Sequence, residues 1–590
     1  MKKFLSLLII PALLFSGCET TGQGSESENT PAGTEASSPA PDVNFAHTDE
    51  DMFTDRDGNT EYEEDESVSV LLNGDSIQCS SSSVKIDGTT VTVLKEGTYV
   101  FSGALDDGMI IVNTAETAKP QLVFDGVNIN SSSSAALYVL EADKVFITLA
   151  ENSENTLSNG GEFIAIDENN IDAVVFSKQD ITFNGNGNLT VTSPAGHGIV
   201  SKDDLVFTGG IYNITSASHG IDANDSVRVS DSSFTVDSGK DGIHAENNDD
   251  TTLGFVYISS GSFDIESEGD GISASSNMQI VSGNINSLTG GGSVNASRPS
   301  SDGWGEPGGR PDRPGGRPGG RSAETSSEES TSIKGLKSAG GMLIEGGTFK
   351  LNTADDSVHS NLSVTVNGGT FDISAGDDAF HADEALTVNT GTINITDSYE
   401  GLEALNVTVN GGDINVVASD DGINAAGGTD SSGMGGVRPG GDMFGGANSK
   451  GSIVISGGNI YINASGDGID ANGTLTITGG HVTLCGPTKG DTAVLDYDKT
   501  ATISGGTFIG TGSSMMAQTI SSSNQGVIAL SVGNQSAGTK ITVTDTDGNV
   551  ILSYEPKLSF AIFIISTPDI VKGKEYSVTV GSQTGEFKAN

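Results

Sequence analysis

Apolar and polar residues alternate along most of this chain in short runs, and the runs recur. The clearest stretch reads Gly220-Ile221-Asp222-Ala223, Val227-Arg228-Val229, Phe234-Thr235-Val236, then Asp241-Gly242-Ile243-His244-Ala245. Gly198 to Gly220 and Gly220 to Gly242 are steps of 22 residues; after an interruption, Gly335 to Ser357, Ser357 to Ala379 and Ala379 to Gly401 are again 22, and Gly401 to Gly422 is 21. A fixed period in this range, carried by two-residue alternation, predicts an all-β solenoid with three short strands per coil. Side chains alternate across a strand, so Ile221 and Ala223 point inward and Asp222 outward. Gly-Gly steps such as Gly209-Gly210 and Gly368-Gly369 mark the corners, where glycine reaches backbone angles that other residues resist.

The beat also delimits the rest of the chain. Residues 1–18 combine Lys2-Lys3, an apolar run from Phe4 to Phe15, and Ser16-Gly17-Cys18. They predict a lipoprotein signal peptide whose lipobox cysteine, Cys18, is lipidated; Phe15 stands where leucine is usual. Residues 19–67, rich in Ser, Thr, Gly, Pro, Glu and Asp, predict a disordered acidic tether. The solenoid is expected over 68–525, its first coils less regular and capped, because an open terminal coil is an exposed edge. Two Gly-rich stretches, 290–332 with its Arg-Pro units and 426–450, predict disordered loops. Residues 526–590 predict a hairpin-based C-terminal β cap.

Charge narrows the function. The 590 residues carry 28 basic and 78 acidic groups, a formal net charge of −50. That argues against nucleic acid or an anionic membrane as a partner through a basic patch. Cys79 and Cys485 lie at opposite ends of the chain, so no disulfide is expected. There is no nucleophile elbow, phosphate loop or metalloprotease motif.

The acids ride on the beat. The residue before the glycine position reads His197, His219, Asp241, Asp270, then Asp356, Asp378, Glu400, Asp421, Asp467; one place earlier stand Asp355, Asp377 and Asp420. Residues one period apart lie above each other about 4.8 Å apart, so these carboxylates form columns. Like charges so stacked need solvent, a shared proton or a cation. Calcium takes six to eight oxygens in irregular geometry, and is expected at the doubled acids Asp355–Asp356, Asp377–Asp378 and Asp420–Asp421, with Asp241 and Asp270 as a lesser pair. Asp as an ordinary turn residue is the alternative. His244, His359 and His381 share one place two after the glycine position and are expected as outward polar stacks; zinc would need closer clustering.

Several phrases resemble bacterial carbohydrate-binding β-helix proteins, surface lipoproteins associated with cellulose, acidic pectic chains and bound calcium. They are Gly97-Thr98-Tyr99-Val100-Phe101-Ser102-Gly103, Gly126-Val127-Asn128-Ile129, the run Leu149 to Leu157, the Asp-Gly-Ile coils, and Thr502-Ile503-Ser504-Gly505-Gly506-Thr507. The resemblance spans about 68–580. It implies a right-handed parallel β-helix, with N- and C-terminal caps, and calcium at the doubled aspartates. It carries over no sugar-binding residue.

Three functions follow. The first is non-catalytic binding of polysaccharide, acidic pectic or cellulosic, by a protein lipid-anchored at the extracellular face. Calcium would bridge protein and uronate carboxylates that otherwise repel. No regular aromatic strip supports flat stacking on cellulose. The second is a calcium-dependent polysaccharide lyase, with Lys240 or Lys202 as base. The third is an adhesin or structural surface protein.

Overall fold

The alternating runs become strands. Ile221–Ala223, Ser226–Ser230 and Ser233–Ser238 make one repeat, and Ile243–Ala245, Phe255–Ile258 and Ser262–Ser267 the next. Each strand bonds in parallel to its counterpart one repeat on: Ile221 faces Ile243, Val227 faces Val256, and Phe234 faces Phe263. This computed structural model describes residues 47–296, 332–426, 450–488, 490 and 492–590, which fall within the compact unit Val43–Asn590. The signal segment with Cys18, the tether up to residue 46 and most of the loops expected at 290–332 and 426–450 lie outside the described residues.

The fold is all-β. Helix among the described residues is limited to Asp49–Met52 and the 3-10 turns Glu64–Glu66 and Ser293–Asn295. The ladders run straight across the first insertion, pairing Ile272 with Leu336, Met278 with Met342 and Asn284 with Thr348. They run across the second as well, pairing Val407 with Ile453 and Ile414 with Ile460. The repeat after Asp270 therefore starts at Lys334, and lysine joins the column of acids.

The inward residues of each ladder form one continuous core. Ile221, Ile243, Ile272, Leu336, Val358 and Phe380 are fully buried. Aromatic residues at equivalent positions stack: Tyr212 on Phe234 at 5.1 Å, Phe234 on Phe263 at 5.2 Å, and Phe349 on Phe371 at 4.4 Å between ring centroids. The strand spacing imposes these separations, and each pair adds about 1 kcal/mol beyond the area it buries. The glycine of the beat is needed for close approach. A Cβ on Gly242 would stand 2.4 Å from Cγ2 of Ile265 and 2.7 Å from the carbonyl oxygen of Gly271.

Both ends differ from the middle. Residues 47–66, assigned by composition to the tether, are instead ordered, and 47–57 lie against the repeats as a strap. Asp57, 1% exposed, pairs with Lys144 at 2.7 Å and accepts the Thr182 hydroxyl at 2.6 Å. Arg56 lies over the Phe146 ring at 4.4 Å. Tyr257 donates to Asp49 at 2.8 Å, and Gln279 donates to the carbonyl of His47 at 3.0 Å. Met52 is buried and Phe53 packs near Tyr257. The acidic, weakly apolar sequence hides these contacts, which are mostly polar and made to distant repeats.

At the other end, Thr507–Gly512 turns its far edge to Phe560–Ser566, which pairs with it antiparallel. Val527–Gln535 pairs antiparallel with that same strand. A separate antiparallel sheet holds Ile541–Thr544, Val550–Tyr554, Glu575–Val580 and Gln583–Lys588.

Candidate functional site: two polar columns on the beat

Register places two polar columns side by side. The first holds the residue before the glycine position: His197, His219, Asp241, Asp270, Lys334, Asp356, Asp378, Glu400, Asp421 and Asp467. The second lies three residues on and is fixed by strand pairing: Asp222, His244, Ser273, Lys337, His359, His381, Glu403, Asn424 and Asp470. Alternation turns the second column away from the apolar core, and the first sits at the corner before strands such as Ile243–Ala245, yet neither is freely solvated. Asp356, His381 and Glu400 are at most 2% exposed.

The first column has a structural duty. Oδ1 of Asp241 accepts the main-chain N–H of Asp270 at 2.8 Å, and Oδ1 of Asp270 accepts that of Lys334 at 2.7 Å. Asp356 accepts from Asp378 at 2.9 Å and Asp378 from Glu400 at 3.1 Å. Asp421 accepts from Asp467, and Asp467 from Ala493. Each carboxylate satisfies a corner N–H one repeat ahead, a group that would otherwise be buried without a partner. The turn reading of Asp holds in a modified form: the group capped belongs to the next repeat.

The second oxygen carries the electrostatics, and these change along the column. Asp270 faces Lys337 Nζ at 3.1 Å. Asp356 Oδ2 lies 2.7 Å from Lys334 Nζ and 2.8 Å from His359 Nδ1. Burial opposes the charge on Asp356, but Lys334 and His359 outweigh it and hold the carboxyl far below its usual range. His381 Nδ1 meets Glu403 at 2.8 Å and Asp378 at 3.2 Å. Burial opposes its charge too, yet its acidic neighbours Asp378, Asp383 and Glu403 push its pKa well up and favour the cation. Farther on, acids gather. Burial and then Glu403 raise the Glu400 carboxyl well above its usual range. Burial, then Asp420 and Asp467, push Asp421 up to about 9. Burial, then Asp467 and Asp496, push Asp470 up to about 7.

The expected calcium ligands thus have different surroundings. Asp355 and Asp356 bracket the Lys334 ammonium, at 2.9 and 2.7 Å. Oxygens of Asp355, Asp356 and Asp377 lie within 4.8 Å of one another, whereas Asp378 belongs with His381 and Glu403. Asp421 meets Asp467 and Asp470, again within 4.8 Å. All three are half-buried. Asp470 was not singled out from the sequence, although its place three after Asp467 repeats that of His244 after Asp241. Asp241 meets two histidines, His219 and His244, with donor atoms within 4.8 Å. Closer histidine clustering than the sequence suggested is therefore present.

Of the stacks expected from the sequence, that of His359 on His381 is present, and His219 stacks on His244 and His197 besides. Ring centroids are 4.9 Å apart for His359 and His381, 4.5 Å for His219 and His244, and 5.1 Å for His197 and His219. Their expected outward, solvated setting does not hold for His359 and His381, which are 4% and 2% exposed. Beside His244 lies a cleft of about 440 Å³ lined by Lys202, Asp222, Glu246, Asn247 and Asp250 among others. Lys202 Nζ is 4.0 Å from Asp222 there. Lys240, the other candidate base, is exposed.

Residues 87–379 match a family model described as carbohydrate-binding domain-containing protein. A carbohydrate-binding domain-containing protein of Acetivibrio thermocellus is 37% identical over 158 residues, 26% of this chain and 53% of the relative. The aligned part thus spans about half that relative's length. Among solved structures, a polysaccharide lyase-like protein from C. thermocellum, a gadolinium derivative, is 32% identical, covering 38% of this chain and 92% of its own, with a TM-score of 0.37. The family match takes in Asp241, Asp270 and Asp355–Asp378, and ends before Asp421.

Proposed function

We propose that the chain binds polysaccharide non-catalytically at the extracellular face of a cell, anchored by lipid on Cys18. In this reading it is a right-handed parallel β-helix closed by a cap at each end, and calcium joins its carboxylates to those of an acidic chain. The match of residues 87–379 to a carbohydrate-binding family supports the substrate class.

The observation that carries the calcium part is the cluster of Asp421, Asp467 and Asp470. Its donors are hard oxygens, which suit calcium. Beside it, Asn424 is 5% exposed; its amide nitrogen donates to Glu400 at 2.8 Å, and its Oδ1 is buried without a hydrogen-bond partner. Asn424 is the register partner of Asp470. An orphaned amide oxygen next to three carboxylates fits a calcium ligand set; Asp420 would add to its charge. When bound, calcium supplies the positive charge that bridges protein and uronate carboxylates. At Asp355 and Asp356, Lys334 already supplies positive charge, so that pair ranks second, with Asp377 and Asp378.

The test is retention on immobilised polygalacturonate with calcium and with chelator, beside a neutral glucan. Retention should need calcium and fall in Asp421→Asn with Asp470→Asn. Retention on the acidic chain that survives full chelation would sink the calcium bridge.

A lyase is the second reading, favoured by Lys202 in the cleft with Asp222. Unsaturated products, followed by ultraviolet absorbance and lost in Lys202→Ala, would establish it.

A further inference from the structure

We infer that His219, Asp241 and His244 form a binding site for a zinc-class transition metal, distinct from the oxygen-rich cluster around Asp421. Two nitrogens and one carboxylate oxygen from three side chains are a borderline donor set; calcium prefers oxygen alone.

The geometry is close to that of a bound ion. Asp241 Oδ2 lies 2.8 Å from His244 Nδ1 and 3.7 Å from His219 Nδ1. A tetrahedral ion with bonds of about 2.0–2.1 Å has ligand atoms about 3.3 Å apart, and the two distances straddle that value. His244 Nδ1 is buried and makes no hydrogen bond of good alignment, despite the nearby oxygen. Two ligands of one ion behave this way, since each points at the ion between them and not at the other.

Surrounding groups hold the ligands in place. Asp241 Oδ1 is engaged by the N–H of Asp270 at 2.8 Å, which leaves Oδ2 for the site. His244 Nε2 lies 3.4 Å from Glu246, the carboxylate–histidine pairing that orients metal-bound imidazoles. His219 Nδ1 is unprotonated, since it accepts the N–H of Asp241 at 3.2 Å, and an ion bound there would replace that hydrogen bond. The three side chains are 14%, 12% and 17% exposed, enough for an ion to enter and for water to take a fourth position. The cluster of Asp378, His381 and Glu403 is less suited, because it is more deeply buried and offers one imidazole.

The test uses the untagged full chain, stripped of metal and then titrated with cobalt and with zinc in excess calcium. One equivalent should bind, with the visible absorption of tetrahedral cobalt. His219→Asn and His244→Asn should each weaken binding by about 100-fold, while His359→Asn should not. No binding by the parent chain, or equal binding by both histidine variants, overturns the site. If those variants fold poorly, the parent chain decides: zinc should shield His219 and His244 from diethyl pyrocarbonate, but not exposed His481. Equal modification with and without zinc would rule the site out. None of these readouts depends on polysaccharide binding.

Discussion

Lys334 Nζ lies 2.7 Å from the carboxylate of Asp356, with side chains 8% and 0% exposed. Where sequence alone offered calcium, solvent or a shared proton to relieve this stretch of the column, the chain itself provides an ammonium. Removing it should leave a buried charge uncompensated. Lys334→Met is expected to cost about 3–5 kcal/mol in denaturant unfolding. Excess calcium should recover part of that loss by entering where the ammonium stood.

Asp356 and Asp378 should respond differently to the same change. Both accept a main-chain N–H through Oδ1, a role that asparagine can keep. Asp356 also holds ion pairs with Lys334 and His359, whereas burial and Glu403 favour the neutral form of Asp378. Asp378→Asn should therefore change the melting temperature little, and Asp378→Ala should cost about 1–3 kcal/mol through the orphaned N–H. Asp356→Asn should be the more damaging of the two asparagine variants.

The strap should be acid-labile. Burial opposes the charge on Asp57, but Lys144 and Thr182 outweigh it and hold its carboxyl below the usual carboxylate range. A carboxyl whose folded value lies below its unfolded value adds stability above the unfolded value and loses it as pH falls through the folded one. Amide exchange in residues 47–62 should be slow at neutral pH and accelerate below about pH 4. Asp57→Asn should show fast exchange at neutral pH.

Calcium uptake at the Asp421 cluster should release protons. Asp421 is pushed up to about 9 and Asp470 to about 7, so both hold protons at mildly acidic pH. An ion must displace them, and affinity should rise as pH increases through this range. Calorimetry in buffers of different ionisation enthalpy measures the protons released; a calcium affinity flat between pH 6 and pH 9 would contradict the assignment.

The period and the core were legible because one rule, alternation around a glycine, repeats with little variation. Ile221, Ile243 and Ile272 are buried as that rule requires. Lys334, directly before the beat position Gly335, was not placed in the column because the long insertion precedes it and Leu336 stands where isoleucine is usual. Asp470 and the pairing of His219 with His244 escaped for another reason. A column was read as residues one period apart, but the contacts run diagonally, one period plus three residues, from one column to its neighbour. The strap was invisible because no periodicity links residue 57 to residues 144 and 182.

The strap also orders events in time. Its partners lie at Lys144, Thr182, Tyr257 and Gln279, all of them C-terminal to the strap. Its farthest contact closes a span of 232 residues, between His47 and Gln279, so it must wait for the repeat that carries Gln279. The strap can therefore close only on repeats that are already in place.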